Sequence, residues 1–121
     1  MNRITIILPW PDSQLMPNRK NGRHWTSTQD AKTRAKQDGY FATMSAFMAS
    51  HPQITDRVHT RVTFVAPDNR ARDLDNLLAS IKPHLDGIAK ALGIDDKLFR
   101  PITIDAQVDK QKRGFVMVEV E

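Results

Sequence analysis

Leu77, Ile81, Leu85, Ile88 and Leu92 recur at intervals of four, four, three and four residues, which is the spacing of one apolar helix face. Just before them, Arg61–Ala66 (RVTFVA) is β-branched and aromatic and reads as a strand. The chain thus changes from sheet to helix periodicity within a short span. The junction between the two is acidic: Asp73 and Asp75 precede the periodic run, and Asp95 and Asp96 follow it. Were Asp73 to Asp75 still extended, the period of two would place both side chains on one side of the backbone. On a helix they would diverge by about 200°.

The far end of the run carries Gly93, placed as a left-handed C-terminal glycine that lets the chain reverse. An unbroken helix of roughly 17 residues would hold the two acidic pairs about 25 Å apart. Direct convergence therefore needs a break, a fold-back or a second subunit. Pro83 supplies a candidate break, since an internal proline removes a hydrogen bond and collides with the preceding turn.

The remaining elements follow in order. Arg3–Leu8 (RITIIL) reads as a first strand buried on both faces for much of its length, because it hardly alternates, and Pro9 and Pro11 end it. Between Trp10 and Trp25 there is no periodicity. Thr26 with Gln29 forms a capping-box pattern, and a helix is expected to run from there to about Ala49. Its inward residues would be Ala31, Ala35, Phe41, Met44, Phe47 and Met48, with Lys32, Arg34 and Lys36 outward. Arg57–Ala66 is the second strand. Pro101–Asp109 and Gly114–Val120 are two more, joined by the polar turn DKQKRG as an expected hairpin. Val116, Val118 and Val120 alternate with Met117 and Glu119, giving the last strand one wet face. The expected fold is α+β in the order β-α-β-α-β-β, a four-stranded mixed sheet with helices packed on one face.

With 121 residues, 40% of them hydrophobic, the chain is read as a single domain spanning 1–121. The absence of cysteine excludes disulfides, thiolate metal sites and cysteine nucleophiles. Ile4–Leu8 is too short for a signal sequence or a membrane span, so a soluble cytoplasmic protein is expected. A net charge of +4 and a pI near 9.7 favour a polyanionic partner. His24, His51, His59 and His84 lack ligand spacing and are read as structural or surface residues.

Arg72-Asp73-Leu74-Asp75-Asn76-Leu77, followed by Lys82-Pro83, Leu85-Asp86 and Asp95-Asp96, resembles the RusA family of Holliday junction resolvases. Leu8-Pro9-Trp10-Pro11 and the total length extend the resemblance over most of the chain. It implies a RusA-like homodimer that nicks two strands of a four-way DNA junction symmetrically with Mg²⁺, leaving 5′ phosphates. By the same resemblance Asp73, Asp75 and Asp96 are the catalytic and metal-binding acids, with Asp95 adjacent as a further ligand. The family lysine stands one helical turn after the second aspartate, where this chain has Ala79. Lys82 takes its place if the chain carries a three-residue insertion, because seven residues approximate two helical turns and return Lys82 to the face of Asp75.

Beside that motif the cluster Arg19, Lys20, Arg23 and His24, ending at Trp25, reads as a DNA contact, with cations for phosphates and an aromatic for an unpaired base. Arg70 and Arg72 have two roles open to them: pairing with Asp68 or Asp73, or binding phosphate beside the scissile bond. Phosphate is preferred, since metal ligands tied to arginine would hold metal poorly. Hard oxygen donors suit Mg²⁺, with Mn²⁺ as a substitute. Two other functions fit parts of the pattern. One is a catalytically silent DNA-binding module, and the other is a metal-dependent phosphohydrolase of a small phosphorylated substrate.

Overall fold

The computed structural model describes residues 3–16, 25–47 and 51–121. Four strands, β1 (Ile4–Pro9), β2 (Val58–Ala66), β3 (Phe99–Val108) and β4 (Phe115–Val120), form one sheet. Three helices, α1 (Trp25–Phe47), α2 (Leu74–Ser80) and α3 (Lys82–Leu92), intervene. The order across the sheet is β1-β4-β2-β3, with β4 antiparallel to both neighbours and β2 parallel to β3. The fold is therefore α+β with a mixed four-stranded sheet.

One face of that sheet is covered and the other is open. Ile4, Ile6 and Leu8 of β1, Val62 and Phe64 of β2, and Val116, Val118 and Val120 of β4 all point into one core. This corrects the reading of β1: the strand alternates strictly, and Ile7 on the open face is 53% exposed. An apolar run appeared doubly buried because isoleucine serves both faces of an edge strand here.

The last two strands do not form a hairpin. β2 lies between them, so residues 109–114 carry the chain across the end of β2. The Asp109 carboxylate accepts backbone N–H bonds from Gln111, Arg113 and Gly114, which organises the turn, and Gly114 takes the left-handed conformation at φ 80°. The reason for the crossover is burial. The valine-rich β4 gains hydrogen bonds on both edges in the interior of the sheet, while β3, mostly exposed, takes the edge.

The periodic residues Leu77, Ile81, Leu85, Ile88 and Leu92 are all buried, but they are divided between α2 and α3, with Ile81 at the junction. The chain breaks at Ile81 (φ −104°, ψ 7°), and Pro83 occupies the first turn of α3, where a proline lacks only a hydrogen bond that was never available. At the far end Gly93 is left-handed at φ 72°. Ile94 N–H reaches the Ala89 carbonyl at 3.0 Å, closing the helix as its sequence predicts.

The inward face of α1 differs from expectation. Ala31 and Ala35 are buried, but Phe41 is 64% exposed and Met44 also faces out, while Gly39 and Thr43 turn inward. The small residues at four-residue spacing form the face that meets α3. A Cβ on Gly39 would collide with the His84 carbonyl, and one on Gly87 with the Lys36 carbonyl. Two backbones this close leave no room for the larger Phe41 and Met44. Met48 and Ala49 lie outside the described residues.

Candidate functional site

After β2 the chain turns through Pro67–Arg72 before α2 begins. Asp68 organises this turn. Its carboxylate accepts Arg70 Nε at 3.2 Å and Arg70 Nη2 at 3.1 Å, together with Arg72 Nη2 at 2.8 Å. Arg72 Nη1 also donates to the carbonyls of Asp68 and Arg70, both at 3.2 Å. The side-chain and backbone donors of Arg70, then the Arg72 guanidinium, hold the Asp68 carboxyl far below the usual carboxylate range. Of the two roles weighed for these arginines, the structure displays the pairing, and the partner is Asp68 rather than Asp73. None of Asp73, Asp75, Asp95 and Asp96 forms an ion pair with arginine among the described residues.

Arg72 is also fixed from the other side. Its guanidinium lies 5.3 Å from the centre of the Trp10 ring, and Trp10 meets Phe64 of the core edge to face at 6.3 Å. Trp10, Arg70, Arg72, Asp73 and Asn76 share the wall of a cavity of about 560 Å³.

Asp73 is the residue before α2, with extended dihedrals (φ −82°, ψ 133°) and no side-chain capping bond. Its carbonyl accepts Leu77 N–H at 3.1 Å. Because the helix starts at Leu74, Asp75 is already helical and lies in its first turn. The extended Asp73–Asp75 pairing therefore does not form: the backbone turns between them. Both carboxylates are exposed.

Asp95 and Asp96 belong to a different pocket. Asp95 starts the short 3-10 turn Asp96–Leu98 and accepts Lys97 N–H at 2.9 Å. That bond, and then the Asp96 carboxyl, lowers its own proton affinity. Asp96 moves the opposite way, raised first by Asp95, then by desolvation and by Asp86. With Asp86, Lys36 and Lys90 the pair lines a cavity of about 350 Å³. Asp86 is the acid that residue-by-residue reading left off the site; its position within Leu85-Asp86 was the available signal.

Lys82 is exposed at the start of α3 and shares a third cavity, about 330 Å³, with Lys32, Pro83 and Asp86. The break at Ile81 removes the two-turn periodicity that was to align Lys82 with Asp75, so the structure gives that alignment no support. Arg19, Lys20, Arg23 and His24 lie outside the described residues, as does the side chain of Trp25.

Among the described residues, no group of three or more His, Asp or Glu side chains is gathered to hold a metal ion. The expected set Asp73, Asp75 and Asp96, with Asp95, is thus not assembled within one chain. The acids match a hard divalent ion in donor type but not in arrangement. His51 bonds the Ala91 carbonyl, His59 bonds Thr103, and His84 is buried, consistent with structural roles. No helix among the described residues is long and apolar enough to cross a membrane.

No family model matches the chain. It is similar to an uncharacterized protein of Xylella fastidiosa (strain Temecula1 / ATCC 700964), at 37% identity over 98 residues. The matched part is 78% of this chain and 61% of that protein, so the chain spans about three fifths of the relative's length.

Proposed function

We propose that this protein is a RusA-like, structure-selective endodeoxyribonuclease that nicks four-way DNA junctions during recombination and repair in the cytoplasm. One observation carries the reading beyond the motif itself. A separate acid, Asp68, pairs with and orients both Arg70 and Arg72, leaving net positive charge beside Asp73, whose carboxylate makes no capping bond. A free carboxylate next to fixed positive charge suits a phosphodiester, whose anionic oxygens need cations while its reacting centre needs an acid–base or ligand group.

Mg²⁺, replaceable by Mn²⁺, is the cofactor proposed on the resemblance and on the oxygen donors available. For one ion to be shared by Asp73, Asp75 and Asp96, bound DNA or a second protomer must bring the two acidic pockets together. A homodimer is proposed on the same resemblance. It is supported by β3, an edge strand on which Ile102 (41% exposed) and Val108 (50% exposed) are left uncovered. Such an edge offers unpaired backbone groups and apolar area to another strand. Light scattering should then give twice the chain mass of 13.8 kDa.

The separation of the two acidic pockets favours one alternative, a junction-binding module that does not cut. A single assay distinguishes them: labelled four-way, duplex and single-stranded DNA with Mg²⁺ or with EDTA. Paired nicks in four-way DNA only with metal support the nuclease, and Asp73→Asn should abolish them while binding survives. Binding unaccompanied by nicks supports the silent module. If the protein neither binds nor cuts any of these DNAs, a small phosphorylated substrate is the reading left.

A further inference from the structure

The 560 Å³ cavity beside Asp73 is larger and more apolar than phosphate contact alone requires. Trp10, Met16 and Leu77 give it an apolar wall, and Arg72 stands fixed against the indole by Asp68 and two carbonyls. Opposite in character is Asn76, whose amide has no hydrogen-bond partner among the described residues. Arg70, exposed at the rim, keeps Nη1 outside its contacts with Asp68. A flat π-surface backed by an immobilised guanidinium, a free amide and a cation at the entrance are the three contacts one nucleotide needs: stacking, edge reading and phosphate binding. The volume lies within the range of pockets that enclose a small ligand.

We infer that this cavity is a one-nucleotide subsite, taking an unpaired base of the branched DNA against the Trp10–Arg72 pair, with Asn76 reading the base edge and Arg70 holding its phosphate. The inference rests on the DNA reading above and adds a source of nucleotide preference beside Asp73. Arg72 backs the indole here, so its tie to Asp68 serves the subsite directly: a ring held by a pinned guanidinium loses little freedom when a base settles against it.

The chain has two tryptophans, so Trp25→Phe leaves Trp10 as the sole indole reporter. Titrate that variant, in EDTA, with single-stranded octanucleotides of each base and with an abasic oligonucleotide of equal length. Natural oligonucleotides should quench Trp10 emission and bind roughly 5- to 150-fold more tightly than the abasic one, the worth of one stacked base. Asn76→Ala should collapse the spread of affinities among the four bases. Should Trp25→Phe fail to fold, the same comparison is made on the unsubstituted protein with 2-aminopurine in the oligonucleotide, whose emission falls when it stacks.

Equal affinity for natural and abasic strands, binding that leaves Trp10 emission unquenched, or an unaltered spread in Asn76→Ala, overturns the subsite. Metal-dependent nicking of four-way DNA alongside that result would leave the nuclease standing without it. Base-dependent quenching by a protein that nicks nothing would instead remove the nuclease and keep the subsite.

Discussion

Asp68 and Arg72 are joined at 2.8 Å, and this contact places the guanidinium over the Trp10 ring. Through Trp10 the contact ties the segment after β2 to the segment after β1. Asp68→Asn keeps the shape but removes the charge that both arginines share. Junction affinity should fall on the order of tenfold, the loss of about one charge-assisted hydrogen bond. Trp10 emission should shift at the same time. Affinity and emission both unchanged would mean that the arginines hold their places without Asp68.

The α1–α3 contact gives a prediction of opposite sign to helix propensity. Gly39→Ala and Gly87→Ala each substitute a better helix former, worth about 1 kcal/mol in an open helix. Each Cβ, however, would meet backbone, the carbonyl of His84 or of Lys36, which cannot rotate away. Overpacking should win, with each variant destabilised by about 1–3 kcal/mol in denaturant melts. Stabilisation by either alanine would show that the helices can move apart at little cost.

Much of this fold is legible where a residue's environment is set by its near neighbours. Leu77 to Leu92 mark a buried helical face because no other conformation repeats at that interval, and Pro83 and Gly93 punctuate it through their own backbone limits. What escaped was non-local. The DKQKRG turn has hairpin composition, yet whether β4 pairs with β3 or inserts between β1 and β2 is decided by which strand has more apolar surface to bury. Phe41 and Met44 are more hydrophobic than Gly39 and Thr43, but the helix–helix distance selects for small size, which hydrophobic periodicity does not encode. At the candidate site the acids are legible as a motif, while Asp68 as the partner of Arg70 and Arg72 depends on side-chain reach within a loop. The grouping of Asp96 with Asp86 depends on how the chain reverses after α3, which spacing along the sequence does not encode.

His84 supplies a pH prediction. It is 2% exposed, its Nδ1 has no partner among the described residues, and burial lowers its proton affinity below the ordinary value of 6.5, with Asp38 opposing in part. The folded state thus binds fewer protons there than the unfolded state once pH falls below about 6.5, and stability declines in that direction. Unfolding free energy measured between pH 7 and pH 5 should slope downward with acid, and His84→Gln should flatten the slope whatever it does to the absolute value. An unaltered slope would assign the acid sensitivity to other groups.

Asp96 should cost the fold stability at neutral pH. Asp95, desolvation and Asp86 raise its proton affinity above the usual carboxylate value of 3.8, so the folded chain retains a proton that the unfolded chain has released. By linkage, the contribution of Asp96 is most favourable below that value and is lost as pH rises through the raised one. At pH 7 the ionised group stands against two other carboxylates. Asp96→Asn removes that repulsion and should raise the melting temperature at pH 7, with the gain shrinking as the pH is lowered and Asp96 itself becomes neutral. The same substitution should abolish nicking if Asp96 serves the proposed chemistry, because an amide cannot replace a charged oxygen ligand. Stability gained and activity lost in one variant would mark these acids as held together for function against their own repulsion. A melting temperature unchanged or lowered at pH 7 would show that Asp96 is not repelled by its neighbours.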